Sequence, residues 1–421
     1  MLRPGQIIVL CVVALLTLGV VMVNSAGMTV DAKVSPSGLL LSRSTIYMAL
    51  ALAAMAFVAF LAPVHWLEAV RPRESASDAS GTASSSSAHT TNPSGWSLGT
   101  LWLGTLSLLA VVSIVYLPGL GSARKGQNRW VEFRLPAIGD LTIQPSELAK
   151  WGLVILIAWY AAVMGRRLAS FFSGLLPALV AVALIAAAVA LADLGTAVLL
   201  CAVSVALLLA AGAKLWHFLI MLPPAALAFA AAIFAQPYRL ERILSFLQPY
   251  EDPQGKGYHM IQSMVAIANG EIFGRGLGNG LQKFGYLPED TTDFLFSIIC
   301  EELGLFGALL VISLYAALLL AGIAIVRRQT GPMLKLIALG VITTVGVQAL
   351  INLAVVTGLA PTKGIALPLL SSGGTGWILT AASLGLLVAM DRLSAPDEAH
   401  AAAATTSGGL LVALPLPPSR A

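Results

Sequence analysis

Charged residues are scarce in this chain of 421 residues, where aspartate, glutamate, lysine and arginine together make up 10%. A soluble domain carries about 25% of such residues, so the composition excludes an ordinary soluble protein. The three cysteines lie in or beside apolar runs and lack the spacing of a disulfide framework or a metal site. The five histidines are scattered, which argues against a zinc or iron centre. The net charge of +4 reflects basic residues in loops, and we expect no nucleic-acid partner.

Apolar residues are abundant instead, at 58% of the sequence, and they fall into ten runs. Most runs are about 16 to 25 residues long, which is the length that a helix needs to cross a bilayer core. We therefore predict an all-α polytopic membrane protein with about ten transmembrane helices. The eighth run is long enough to include an extramembrane turn or a strong tilt. The predicted segments are 7–24, 46–64, 98–118, 149–165, 173–192, 195–213, 216–235, 293–326, 334–357 and 366–390.

Polar stretches divide these segments into groups. A stretch rich in serine, alanine and threonine follows the second helix, and its composition predicts disorder because it cannot bury a core. A large extracytoplasmic loop separates helices 7 and 8. The predicted regions are 1–74 (helices 1–2), 75–97 (disordered cytoplasmic linker), 98–235 (helices 3–7), 236–292 (extracytoplasmic loop), 293–391 (helices 8–10) and 392–421 (disordered cytoplasmic tail).

Lysine and arginine in the short loops predict the orientation of the chain, because these residues favour the cytoplasmic side. Their distribution places both termini in the cytoplasm. Basic residues also lie on the predicted outer side, where they are disfavoured unless an anionic group is present. A phosphate-bearing ligand at the outer face would explain them, and contacts with lipid head groups or internal ion pairs are the alternatives. The outer residues are Arg124, Lys125, Arg129, Arg134, Arg239, Arg242, Lys256, Arg275, Lys283 and Lys363.

Asp293 stands where the large outer loop turns back into the eighth apolar segment. A carboxylate at a membrane boundary is costly to bury without a partner, so it usually marks a pathway, a partner or a chemical step. Alternatively, Thr291, Thr292 or Asp293 caps the helix that follows. Position alone leaves both interpretations open.

Four motifs lie in separate predicted loops and in a fixed order along the chain. They are Gln144-Pro-Ser-Glu-Leu-Ala-Lys150, Asp193-Leu-Gly-Thr196, Pro288-Glu289 with Thr292-Asp-Phe-Leu-Phe296 and Glu301-Glu-Leu-Gly304, and Pro361-Thr-Lys-Gly364 with Pro368-Leu-Leu-Ser-Ser-Gly-Gly374. Together they resemble the SEDS family of bacterial cell-wall proteins, the FtsW, RodA and SpoVE group, over residues 100–392. Pro249-Tyr-Glu-Asp-Pro253 is more similar to the FtsW division branch than to the RodA elongation branch. The chain departs from the family at Thr291, where histidine is usual, and at Ser372, where tyrosine is usual.

The resemblance implies a SEDS fold and a peptidoglycan glycan-strand polymerase that acts in cell division and cell shape. The expected substrate is lipid II on the outer face of the bacterial cytoplasmic membrane. The implied reaction inverts the anomeric centre, forms a β-1,4 linkage and releases undecaprenyl pyrophosphate. A sugar hydroxyl is a poor nucleophile, so a base must accept its proton, and Asp293 matches the family's residue for this role. Basic residues or a divalent cation, Mg²⁺ or Mn²⁺, would stabilise the pyrophosphate leaving group.

Several further residues are candidates for contact with the substrate. For some of them a structural role is the alternative: Arg129 and Trp130 would suit a membrane-interface belt. Glu147 and Lys150 would suit an ion pair on one helix face. The candidate substrate-binding residues are Arg129, Trp130, Glu147, Lys150, Asp193, Lys283, Lys363 and Ser371.

Other residues in or near these motifs are expected to be structural. Asp193 is a candidate for substrate contact but equally a helix cap. Glu301 and Glu302 are expected to be packing or helix-dipole partners beyond the site. Four glycines between Gly274 and Gly280 resemble a phosphate cradle, but no strand–turn–helix context supports one, so we expect turns.

A lipid flippase or secondary transporter is the rival class, because ten spans with buried polar residues also suit transport. Against it, the polar residues gather at one face of the membrane and the motifs show no inverted repeat. A non-catalytic scaffold for a transpeptidase is a third alternative, and it would need no Asp293.

The resemblance also implies partners at the division septum: the nascent glycan strand, a class B penicillin-binding transpeptidase and other division-complex proteins. Small residues in segments eight and nine let backbones approach closely, so we expect them to pack against the transpeptidase's single span. Ordinary packing inside the bundle is the alternative. These small residues are Gly304, Gly307, Ala308, Gly340 and Gly346.

Overall fold

The computed structural model describes residues 2–27, 42–61, 93–117, 121–124, 127–135, 139–255, 257–362, 364–372 and 374–411. Most of the predicted linker lies outside the described residues. Helices make up most of the described chain. They are α1 (Pro4–Ala26), α2 (Arg43–Leu61), α3 (Pro93–Ser113), α4 (Pro145–Met164), α5 (Leu176–Ala192), α6 (Leu194–Ala210), α7 (Leu215–Phe234), α8 (Pro237–Leu247), α9 (Tyr258–Asn269), α10 (Leu295–Arg328), α11 (Pro332–Val356) and α12 (Thr375–Leu411).

Ten of these helices match the ten predicted segments. Within the described residues, nine are long and apolar enough to cross a membrane when α5 is counted with the helical turn before it, as Phe171–Ala192, and the 17-residue α6 is a shorter apolar helix. Proline begins several of them, including Pro4, Pro145 and Pro332. Its fixed φ suits the first helical turn, where the missing N–H has no intrahelical partner to lose. The prediction of an all-α polytopic membrane protein is confirmed.

A small antiparallel sheet in the outer loop between α3 and α4 was not predicted. Its central strand carries Val131, Phe133 and Leu135 in alternation with Glu132 and Arg134. Such alternation is the signal of a strand, but it was masked by the helical character of the chain around it. The strands are β1 (Gly121–Arg124), β2 (Gln127–Leu135) and β3 (Gly139–Ile143), in the order β1-β2-β3.

The helix boundaries differ from the prediction at three places. The tenth segment begins at Thr375 and not at residue 366, because residues 361–372 with their two prolines form an irregular segment. At the other end, α12 continues to Leu411 through residues predicted as a disordered tail, where an alanine run favours helix. The helix of the long eighth predicted segment, α10, breaks at Gly304, whose φ of 65° and ψ of −158° are not helical.

The buried core is formed mainly by α1, α4, α5, α6, α10, α11 and α12. In it, α12 packs against α2 and α1, α1 against α10, and α11 against α4, α6 and α10. By contrast, α7 lies at the edge of the bundle, and its main contact is with α8. The functional motifs therefore meet on the side of the bundle formed by α4, α6, α10 and α11.

The small residues of α10 and α11 face the bundle and not a partner, which corrects the expectation above. Gly340 lies against Val154 and Leu207, and Gly346 lies against Leu319. Close packing within the bundle uses these positions, since a glycine lets a neighbouring helix approach. Gly304 and Gly307 are buried as well, and Ala308 packs against the core.

Candidate active site

Residues 361–362 and 364–372, between α11 and α12, form a re-entrant segment that dips into the bundle. The carbonyl of Pro368 accepts a hydrogen bond from the hydroxyl of Tyr315, about halfway along α10. The carbonyl of Leu370 lies against Gly19 of α1. Leu369 has a φ of 63°, a left-handed conformation that is uncommon for a leucine and marks a tight turn. The motifs at Asp193 and Asp293 contact this segment directly, and the motif that contains Lys150 reaches it through Gln348.

Asp293 lies in a turn two residues before α10 and is half-buried. A Cβ atom added to Gly364 would lie 2.9 Å from its Oδ2, so the carboxylate stands directly against the re-entrant segment. Its backbone carbonyl accepts a hydrogen bond of 2.8 Å from the Nδ2 of Asn352. The N-cap position of α10 is Phe294, so none of Thr291, Thr292 and Asp293 occupies the cap position itself.

Glu147 and Lys150 form the ion pair that their spacing on α4 predicts, with 2.7 Å between Nζ and Oε2. The pair also belongs to the site. The Nζ of Lys150 donates to the Oε1 of Gln348 at 2.9 Å, and the Nε2 of Gln348 donates to the carbonyl of Ala366 at 2.9 Å. Lys150 is buried, while Glu147 is partly exposed and lies near Gly376 at the start of α12. The structure thus shows the ion pair, and contact of either residue with the substrate stays a prediction.

Asp193 caps α6, as its structural alternative predicted. Its carboxylate accepts hydrogen bonds from the backbone N–H of Gly195 at 2.9 Å, and from the N–H and hydroxyl of Thr196 at 3.1 and 2.9 Å. A Cβ atom on Gly195 would lie 2.8 Å from the Cδ1 of Ile365, so this cap also adjoins the re-entrant segment. A shallow crevice opens beside it and is lined in part by Tyr116 and Gln144.

Ser371 is buried and holds the turn of the re-entrant segment. Its hydroxyl accepts a hydrogen bond from the N–H of Leu367 at 3.1 Å, and its carbonyl accepts one from the Nε1 of Trp377 at 2.6 Å. These contacts assign it a structural role within the site.

Lys283 was expected to contact the substrate, but the structure buries its side chain completely. The Nζ lies 2.8 Å from the Oε1 of Glu302 and 3.3 Å from the Oγ of Ser25 at the outer end of α1. Both charged groups are fully buried, and their contacts join α1, the loop between α9 and α10, and α10 itself. Lys283 therefore acts as a structural partner of Glu302 in this conformation.

The glycine-rich loop binds carboxylates of the protein itself. The N–H groups of Gly278 and Gly280 donate to Glu302 at 3.0 and 3.4 Å, and those of Leu281 and Gln282 donate to Glu301 at 2.9 and 3.2 Å. The expectation that the loop forms turns, and that the two glutamates are structural, agrees with these contacts. The backbone resembles an anion cradle, but α10 supplies the anion.

The remaining candidates lie above the site or outside the described residues. Trp130 pairs with Ser122 across the sheet, and Arg129 is the extra residue where the register of β1 and β2 shifts. The Oγ1 of Thr375 donates to the carbonyl of Thr142 in β3 at 2.6 Å, which joins the sheet to the start of α12. Lys363 lies outside the described residues.

The family described as cell cycle protein, FtsW/RodA/SpoVE, matches residues 92–395 of the chain. The chain belongs to this family. A relative from Geobacter metallireducens, named probable peptidoglycan glycosyltransferase FtsW, is 35% identical over 388 residues, which are 92% of this chain and 94% of the relative. Stage V sporulation protein E of Bacillus subtilis is 32% identical and covers 93% of this chain and 98% of its own.

Solved structures agree with the FtsW/RodA/SpoVE assignment. One, described as a peptidoglycan synthase complex that coordinates polymerization and crosslinking, contains a chain with a TM-score of 0.66 and 27% identity. The match covers 92% of this chain and 97% of that one. The rod shape determining protein RodA of Thermus thermophilus matches with a TM-score of 0.57 at 24% identity, over 91% of this chain and 95% of its own, which supports the fold.

Three residues that this family member brings to the site were missed in the sequence. Gln348 and Asn352 are buried on α11 and contact Lys150, Asp293 and the re-entrant segment. Their signal was polar amides four residues apart in a membrane-spanning segment, where polar side chains are rare. The third is Asp290, which lies three residues before Asp293. Burial raises the pKa of its carboxyl from 3.8 to about 6. Hydrogen bonds from the N–H groups of Thr291 and Asp290, and the charge of Lys283, lower the pKa by less than burial raises it.

Proposed function

We propose that this chain is a peptidoglycan glycosyltransferase that polymerises lipid II at the outer face of the bacterial cytoplasmic membrane. The names of its relatives support a glycosyltransferase role in cell-wall synthesis. One observation carries the proposal: motifs separated by more than 200 residues converge on a single re-entrant segment, with the carboxylate of Asp293 against it. A protein that only recruits a partner would not need this convergence.

In this proposal Asp293 accepts the proton of the attacking sugar hydroxyl. Oxygen–carbon bond formation at the anomeric centre then displaces the pyrophosphate in one step, which inverts the configuration and yields a β-1,4 linkage. A positioned base of this kind contributes about 10² to 10⁴ in rate. No covalent intermediate on the protein is required. Gly364, which has no side chain, lies beside the carboxylate of Asp293 and so leaves space for the reacting sugars.

The leaving pyrophosphate needs positive charge, and the candidates differ in their surroundings. Lys150 is buried and already bound to Glu147 and Gln348, so we assign it to the architecture of the site. Arg129 and Lys363 remain the proposed contacts for pyrophosphate. Among the described residues no three histidine, cysteine, aspartate or glutamate side chains come together as a metal site. A divalent cation therefore remains a proposal without an assigned place in the reaction.

The chain is a multi-pass membrane protein, and its location and partners follow as proposals. We place both termini in the cytoplasm and the enzyme at the division septum. A class B penicillin-binding transpeptidase would crosslink the strand as it emerges. Since the small residues of α10 and α11 face inward, a partner span would contact outward side chains such as Leu309 and Leu320, which are 52% and 68% exposed. Crosslinks from these two positions to a co-purified transpeptidase would support this surface, and crosslinks confined to α1–α4 would contradict it.

The decisive experiment is polymerisation of lipid II by the purified protein in detergent, followed by separation of the glycan products on a gel. We expect wild type to form glycan and Asp293→Asn to lose about 10² to 10⁴ of the rate. Asp252→Asn is the matched control, because it makes the same change at an exposed position of the outer loop. Near-normal polymerisation by Asp293→Asn would show that Asp293 is not the base. A wild type that moves lipid II across vesicles and makes no glycan would favour the flippase.

A further inference from the structure

The outer half of α11 carries three polar side chains at four-residue intervals: Thr344, Gln348 and Asn352. Residues four apart share one face of a helix. All three are buried, with exposures of 0%, 9% and 2%. A polar group inside a membrane-spanning bundle is costly unless it is hydrogen-bonded, so the partners of these residues indicate their purpose.

Asn352 joins two segments that are distant in the sequence. Its Nδ2 donates to the carbonyl of Asp293 and to the carbonyl of Ile365, both at 2.8 Å. Because Nδ2 faces two acceptors, the orientation of the amide is fixed. Its Oδ1 is buried and has no hydrogen-bond partner among the described residues. An unpartnered buried acceptor lowers stability, and the two donor bonds of the same side chain offset that cost while they hold both segments.

Gln348 makes the matching connection one helical turn away. Its Nε2 donates to the carbonyl of Ala366 at 2.9 Å, and its Oε1 accepts from the Nζ of Lys150 at 2.9 Å. The two amides thus hold consecutive carbonyls of the re-entrant segment. Through them, one face of α11 sets the positions of Asp293 and Lys150 relative to the same two peptide groups.

We propose that Gln348 and Asn352 are positioning residues for glycosyl transfer and together form an amide clamp. The clamp holds the backbone of Asp293 and the re-entrant segment in register, so that the carboxylate keeps its place against Gly364. This inference rests on the proposed role of Asp293. Displacement of a reacting group by about 1 Å can cost about 100-fold in rate, so loss of the clamp should act on kcat.

Kinetics of purified variants test the clamp. Asn352→Leu and Gln348→Met remove the amides with little change in size, and we expect kcat for lipid II polymerisation to fall about tenfold or more, with KM changed by less than about twofold. Gln348→Glu keeps an acceptor for Lys150 and loses the donor to Ala366, so it should fall between Gln348→Met and wild type. Thr344→Val is the control, because among the described residues the Thr344 hydroxyl bonds within α11, to the carbonyl of Gly340.

Hydrogen exchange measured by mass spectrometry provides a second readout that does not depend on activity. We expect faster exchange in residues 289–294 and 361–372 of Asn352→Leu, and no change there in Thr344→Val. Wild-type kcat in both Asn352→Leu and Gln348→Met would overturn the clamp, and so would loss of kcat with unchanged exchange. If wild type makes no glycan, the proposed function fails, and the exchange data alone then decide whether α11 holds these segments.

Discussion

Replacement of Lys283 by methionine distinguishes a structural lysine from one that binds the substrate. The Nζ of Lys283 lies 2.8 Å from Glu302, and both side chains are 0% exposed. Methionine has a similar length but no charge. In the variant, the carboxylate of Glu302 stays buried with only neutral donors, the hydroxyl of Ser25 and the N–H groups of Gly278 and Gly280.

The expected cost of Lys283→Met is large because it leaves a buried charge without its partner. Breaking a buried ion pair by removing one member typically destabilises a protein by about 3–5 kcal/mol. The double variant Lys283→Met/Glu302→Gln removes the second charge and keeps an oxygen that can accept from the loop amides. We therefore expect the double variant to be more stable than the sum of the single effects predicts, with a coupling of about 0.5–3 kcal/mol.

Unfolding can be followed by the reaction of the two buried cysteines, Cys11 and Cys300, with a thiol dye as detergent-solubilised protein is heated or denatured. Cys300 is buried beside Glu301 on α10, and the exposed Cys201 would be replaced by serine in all variants. Lys335→Met, at an exposed position of α11, is the matched control. If Lys283→Met unfolds like wild type but polymerises lipid II with a raised KM, Lys283 contacts the substrate and the structural assignment is refuted.

Substitutions of Gly274, Asp193 and Asp290 test three further predictions. Gly274→Ala should lower the unfolding free energy by more than about 1 kcal/mol, because Gly274 has a φ of 75° and lies against the backbone of Glu302. Gly212→Ala is the control in the same denaturation assay. Gly212 has a φ of 102° but lies in open space, so this variant should cost less. Asp193→Ala should lose about 1 kcal/mol of cap energy, whereas Asp193→Asn should keep it; loss of polymerisation in a stable Asn variant would instead indicate substrate contact. Asp290 has a raised pKa, so the folded state holds its proton more tightly than the unfolded chain, and the stability present below pH 3.8 is lost as the pH rises through about 6. As the pH rises from 3.8 to about 6, the melting temperature of Asp290→Asn should therefore fall less than that of wild type.

The membrane-spanning helices were predictable because length and apolarity are local properties. Ten apolar runs gave ten helices, and the break in the long eighth segment appears at Gly304. The start of the tenth helix was not predictable from hydropathy, since Leu367, Leu369 and Leu370 are as apolar as a helix but form the buried re-entrant turn. The sheet was missed because only β2 has a clear alternation, and β1 and β3 are short.

The candidate site was predictable in its charged residues but not in their roles. Motif positions identified Asp293, Lys150 and Asp193, and the cap formed by Asp193 was foreseen as a local alternative, yet only tertiary contacts show that Lys150 reaches Gln348. Lys283 was misjudged for the same reason. A basic residue in an outer loop looks available for an anionic ligand until the fold brings a buried carboxylate, here Glu302, to meet it.

The two departures from the family pattern fall where the backbone, and not the side chain, makes the recorded contact. Thr291 stands where histidine is usual, and its carbonyl accepts a hydrogen bond of 2.9 Å from the N–H of Ser372, which stands where tyrosine is usual. Any residue except proline at position 372 leaves this bond possible, so the turn before Asp293 and the end of the re-entrant segment can stay joined after both changes. The adjacent Ser371, which matches the family, supplies the side-chain hydrogen bond to Leu367. The chain thus tolerates substitution at the two positions where main-chain atoms hold the site, and keeps the family residue where a hydroxyl is needed.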